Sequence, residues 1–114
     1  MAKLFGMHMI ALKPGVKEED FEKFVVEAVY PIYGALPDVD AYLLKGDRGD
    51  REGKYLVVFE FESVEARDRT FPSSGEMSEE MRRFVEAYAA LAEKWATFAT
   101  PVDVISTDYV VVGK

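Results

Sequence analysis

Cysteine is absent from this 114-residue chain, and histidine occurs once, at His8. Without a thiol there is no disulfide framework, no thiolate nucleophile and no cysteine-bound metal, and a single histidine cannot build a typical zinc site. Basic residues are scarce: 14 Lys and Arg stand against 21 Asp and Glu, for a formal net charge of −7. Binding to nucleic acid relies on a basic footprint that neutralises phosphates, so nucleic acid is excluded as a partner. An anionic membrane surface is disfavoured for the same reason. Long apolar runs are also missing, and none approaches the roughly 20 residues of a membrane-spanning helix. Lys13, Lys17, Glu18 and Glu19 arrive too early for a signal peptide, so a cytoplasmic setting is the expectation. Neither a glycine-rich phosphate loop nor a G-x-S-x-G elbow occurs.

What remains is an ordinary globular composition, 49% hydrophobic and 31% charged, of a length that suits one domain spanning residues 1–114. Residues 4–12, LFGMHMIAL, read as a strand closed by Lys13-Pro14-Gly15. Phe21, Phe24, Val25, Ala28, Val29 and Ile32 then recur at helical spacing behind an acidic first turn. Pro31 is expected to end or kink that helix near Tyr30. DAYLLK and KYLVVFEFE are strands, joined as a hairpin through GDRGDREG; the Arg48-Gly49-Asp50 triplet is read as turn material. Ser63 suits the N-cap of a short helix, and Pro72-Ser73-Ser74-Gly75 breaks it. Ser78 opens a longer helix with an expected buried stripe of Met81, Phe84, Val85, Tyr88, Ala92 and Trp95. Thr100-Pro101 closes that region, and DVISTDYVVV is the last strand.

The order β-α-β-β-α-β is that of a ferredoxin-like α+β fold with a four-stranded antiparallel sheet. Alternate residues share a strand face, so Gly6, His8, Ile10 and Leu12 form one face of the first strand and Phe5, Met7, Met9 and Ala11 the other. In the third strand Tyr55, Val57, Phe59 and Phe61 oppose Leu56, Val58 and Glu60. Both faces are largely apolar, and two principal helices cover one. A bare apolar face exceeds the few hundred square ångströms that monomers usually tolerate, so a homodimer packed sheet to sheet is expected, with the His8 face turned toward the space the second subunit closes. Glu60 and Glu62 are read as charge partners of helix residues.

Three segments carry a resemblance. His8-Met9-Ile10-Ala11-Leu12-Lys13 is similar to an H-x-I-x-L-K first strand, Phe61-Glu62-Ser63-Val64-Glu65 to an F-E-S-x-E strand end, and Asp108-Tyr109 to a final-strand D-Y pair. In this order they resemble the dimeric α+β barrel superfamily, which includes antibiotic-biosynthesis monooxygenases, stress-responsive α/β-barrel proteins and the plant olivetolic acid cyclase. The resemblance implies a cavity beside His8, with His8 in acid–base chemistry and Asp108 near it. Strand parity places Val104, Ser106 and Asp108 on one face, and that face is expected to coincide with the face of His8. A carboxylate that fixes an imidazole's tautomer and raises its basicity makes a general base. Ile10, Leu12, Val57, Phe59, Phe61 and Ser106 are the expected cavity-facing residues, and Tyr30 and Tyr33 either supply a phenol near its mouth or close a helix end.

Departures from the superfamily narrow the expectation. The stretch after F-E-S, Arg67-Asp68-Arg69-Thr70-Phe71-Pro72, has neither the tyrosine nor the histidine of the cyclase. Monooxygenases often carry tryptophan where Phe61 stands and asparagine where Val57 stands. Residues 78–96 contain no histidine, which disfavours haem. The leading expectation is a cofactor-independent enzyme acting on an apolar, aromatic or polyketide-like compound, with no metal. A non-catalytic ligand-binding or stress-response protein and a cofactor-free monooxygenase are the alternatives. A cavity of roughly 300 Å³ or more beside His8 favours a ligand site, and one packed solid by phenylalanines refutes the enzyme reading.

Overall fold

The computed structural model describes residues 3–36, 38–70, 79–103 and 107–113. Five strands form one antiparallel sheet, β1 (Leu4–Leu12), β2 (Val39–Lys45), β3 (Tyr55–Phe61), β4 (Ala99–Pro101) and β5 (Thr107–Val110). Their order is β2-β3-β1-β4, with β5 continuing along the same side of β1 as β4. This is the ferredoxin-like arrangement, with the last strand in two pieces. Expected breaks or caps at Pro72-Ser73-Ser74-Gly75 and Ser78 lie outside the described residues, as do Val104 and Ser106 and the side chain of Met81. No described helix is long and apolar enough to cross a membrane.

The first helical region runs on past Pro31, which was expected to end or kink it near Tyr30, and is irregular just before that point. α1 (Glu18–Phe24) passes into a π-helical turn, Val25–Val29, and then into α2 (Tyr30–Gly34). Proline has no N–H to offer the carbonyl four residues back, and widening the preceding turn accommodates it. The Tyr30 N–H accordingly reaches the Val25 carbonyl five residues back. The wide turn also serves burial. Phe21, Val25, Val29 and Tyr33 are all buried, yet four residues advance about 400° in an α-helix, so three such steps drift by about 120°. A wider turn advances less per residue and holds the four on one face.

Ser63 caps α3 (Val64–Thr70), its Oγ accepting the Ala66 N–H at 3.1 Å. α4 (Glu79–Phe98) buries Leu91 and packs Phe84, Trp95 and Phe98 against the core. Val85, expected inside, is 42% exposed, and Leu91 takes the inward place. The expected Thr100-Pro101 break falls within β4, which opposes Leu12, Ala11 and Ile10.

The helices cover the His8 face. Ile10, Tyr55 and Val57 form one core with Phe21, Phe24, Val25, Val29, Tyr33 and Leu91. The face turned outward is the other one, carrying Phe5, Met7, Met9, Leu56 and Glu60. The expectation that the His8 face looks toward a second subunit is thereby overturned: with both faces apolar, strand parity does not choose between them, and it is Ile10, Tyr55 and Val57 that pack against the aromatic stripe of α1 and α4. Glu60 therefore pairs with Lys3, at 3.0 Å, instead of with a helix. Glu22 does link a helix to the sheet, accepting from the Tyr55 hydroxyl at 2.5 Å and from Lys45 at 3.0 Å. Those two donors hold its carboxyl below the usual range.

Candidate functional site

Between the sheet and the helices lies a cavity of about 60 Å³. β1 contributes His8 to its lining, β3 Val57 and Phe59, and β2 Ala41, Tyr42 and Leu43. The helical side supplies Val25, Val29, Tyr30 and Tyr33, and α4 supplies Tyr88, Leu91, Ala92 and Trp95. No aspartate, glutamate, lysine or arginine is among these residues. The volume is enough for water but well short of the roughly 300 Å³ typical of small-molecule sites. An aromatic cluster accounts for the difference: Tyr33 packs on Phe59 at 5.2 Å, on Phe84 at 5.4 Å and on Tyr88 at 6.1 Å.

His8 is half-buried and stacks on Phe59, with ring centroids 6.3 Å apart. Among the described residues neither ring nitrogen has a hydrogen-bond partner. Burial pushes the imidazole below its ordinary pKa of 6.5, while the negative charge of Asp103 pulls the other way. The ring is therefore neutral near pH 7, with a lone pair available to take a proton. Burial, with Tyr88 adding to it, drives the Tyr33 hydroxyl far above its ordinary value, so this phenol stays protonated. Tyr30 is placed by the wide turn, and its oxygen accepts the Leu43 N–H at 3.1 Å. That leaves its own proton to donate. The cavity thus combines a neutral base with tyrosine hydroxyls in apolar walls.

Of the residues expected from the sequence, His8, Val57 and Phe59 line this cavity. Ile10 is buried in the main core on the same face, and Leu12 packs against that core. Phe61 belongs to a separate small core with Leu4 and Val39. Ser106 lies outside the described residues. Asp108 pairs across the sheet with Gly6, two residues from His8, and so shares its face. Its carboxylate is held by Arg67 of α3, in space that Gly6 leaves free: a Cβ there would stand 2.9 Å from Asp108 Oδ1. The carboxylate whose charge reaches His8 is Asp103. Read as the first residue of an unbroken strand, Asp103 gave no signal of this. Among the described residues no three histidine or carboxylate side chains gather to hold a metal ion.

Comparison with known proteins agrees with this architecture. The family model of REDY-like protein HapK matches residues 5–110. The chain belongs to the REDY-like HapK family. No curated protein matches its sequence. The crystal structure of HapK from Hahella chejuensis is similar to it with a TM-score of 0.62 at 18% identity, covering 100% of this chain and 95% of that one. SnoaB, a cofactor-independent oxygenase from Streptomyces nogalater, is similar with a TM-score of 0.52 at 10% identity and the same coverage. HapK and SnoaB belong to the dimeric α+β barrel superfamily, and at these identities the likeness of this HapK-family chain to them is one of fold.

Proposed function

We propose that this protein is a cofactor-independent enzyme acting on an apolar, aromatic or polyketide-like compound bound between the sheet and the helices. The observation that carries this reading is the neutral imidazole of His8 set among phenols in an otherwise apolar cavity. His8 takes a proton from a substrate C–H or O–H that conjugation has made acidic. The negative charge moves to a substrate oxygen, where Tyr30 and Tyr33 donate hydrogen bonds to it. His8 then returns the proton to a different atom or to the departing product. Tyr88, 38% exposed at the edge of the cavity, yields with its turn of α4 when substrate enters, because the space present holds water alone. The working form is a homodimer in the cytoplasm, joined through the outward face of the sheet.

A second reading, a binding protein without catalysis, is favoured by the small volume and its aromatic filling. A third, a cofactor-free monooxygenase, draws support from the likeness to SnoaB. Phe61 and Val57, where such enzymes often carry tryptophan and asparagine, weigh against it. A thermal-shift screen of aromatic and polyketide-like compounds identifies the ligand, since specific binding raises the melting midpoint. With that ligand, His8→Ala is expected to retain binding and lose turnover by about 10²–10⁴-fold. Unchanged turnover in His8→Ala rules out the acid–base role. Saturable binding with no turnover by the wild type establishes the second reading.

A further inference from the structure

Two groups without a hydrogen-bond partner among the described residues lie near each other along β1. Asp103 Oδ2 accepts the Met9 N–H at 3.1 Å, filling the place of a main-chain carbonyl where the last strand is interrupted. Oδ1 of the same carboxylate is buried and has no hydrogen-bond partner among the described residues. One residue before Met9, the half-buried His8 ring makes no hydrogen bond to the described residues. An acceptor lacking a donor and an imidazole N–H lacking an acceptor are complementary.

We propose that Asp103 is the positioning carboxylate of His8: its Oδ1, without a partner among the described residues, accepts the imidazole N–H when the ring turns toward it. This selects the tautomer whose other nitrogen takes the proton, and it stabilises the imidazolium that forms. The inference rests on the reading of His8 as the acid–base group. The remaining polar groups around the ring compete poorly for this place. Tyr30 and Tyr33 line the cavity, while Asp108 on β5 is already engaged by Arg67 from α3. Asp103 is also the charged group whose field reaches the imidazole.

Because the chain has one histidine, its imidazole gives a single set of NMR signals, and a titration needs no substrate. Asp103→Asn keeps an oxygen for the Met9 amide and removes the charge; it is expected to shift the His8 midpoint further down. Asp108→Asn is expected to leave the midpoint in place. Asp103→Ser also keeps an oxygen acceptor, and it reads the same downward shift if the asparagine variant does not fold. An unmoved midpoint in the folded Asp103 variant, or an equal shift in Asp108→Asn, overturns the assignment and leaves the base role of His8 standing. Conversely, unchanged turnover in His8→Ala removes the base role without touching the titration result.

Discussion

At His8 the sheet and the helices withdraw much of the water that would solvate an imidazolium, and the charge of Asp103 offsets part of that loss. Stability acquires a pH dependence from this position. Above the unfolded value of 6.5 neither state is protonated, and the histidine contributes nothing. As pH falls through 6.5 the unfolded chain takes up the proton first, so the folded state loses stability until its own lower pKa is passed. The urea midpoint of the wild type is therefore expected to fall between about pH 7 and pH 5.5, and His8→Leu is expected to flatten that limb. The carboxyl of Glu22, held below its ordinary 4.5, loses its contribution only at lower pH and does not confuse the reading. Alternation along β1 and the last strand made the shared face of His8 and Asp108 legible in the sequence. The role of Asp103 was not legible, because it depends on a strand interruption that residue types do not announce.

The elements show the same division between pattern and packing. Phe21, Phe24, Val25 and Val29 announce a helix face by spacing, and all four are buried. Pro31 marks an end or a kink because a lost N–H usually breaks or bends a helix. Here the wide turn absorbs the loss, and the burial of Tyr33 beyond the proline repays it. That turn also brings Tyr30 to the outer edge of β2, where its oxygen meets the Leu43 N–H. Tyr30→Phe is expected to lower the free energy of unfolding by about 0.5–1.5 kcal/mol, the usual worth of one hydrogen bond. Urea unfolding measures the loss, and faster hydrogen exchange at the Leu43 amide locates it. An unchanged Leu43 exchange rate would show that the phenol does not hold the strand edge. On α4 the stripe was legible in part: Phe84 and Trp95 pack inward and Leu91 is buried, while Val85 and Tyr88, both expected inside, are exposed.

For the molecule as a whole, element order was enough to give the βαββαβ topology, and the strand order β2-β3-β1-β4 agrees. Which face the helices take was not legible, since both faces are apolar and alternation alone does not distinguish them. Its outcome separates two roles: His8 and the cavity belong to the covered face, and the uncovered face is left for a partner. Leu44 and Tyr42 on that face are 47% and 42% exposed, beside Met7 and Leu56. A homodimer through this surface predicts that Met7→Lys, which places a charge opposite a second copy, yields monomers by light scattering at micromolar concentration. Its thermal shift with ligand is expected to persist, because the cavity is enclosed within one chain. A dimer that survives the lysine would place the subunit contact elsewhere.

The wide turn at Val25–Val29 has a consequence for comparing this chain with its relatives. A π-helical turn amounts to one residue inserted into an α-helix, so the segments on either side of it follow separate registers. Set beside a relative whose helix is uninterrupted, Phe21 and Phe24 find their counterparts in one alignment frame, and Tyr30 and Tyr33 find theirs in a frame offset by one. A single-residue gap opened within Val25–Val29 restores both. Without it, the tyrosines that face the cavity are matched to the wrong neighbours, and their equivalents in other members of the family go unrecognised.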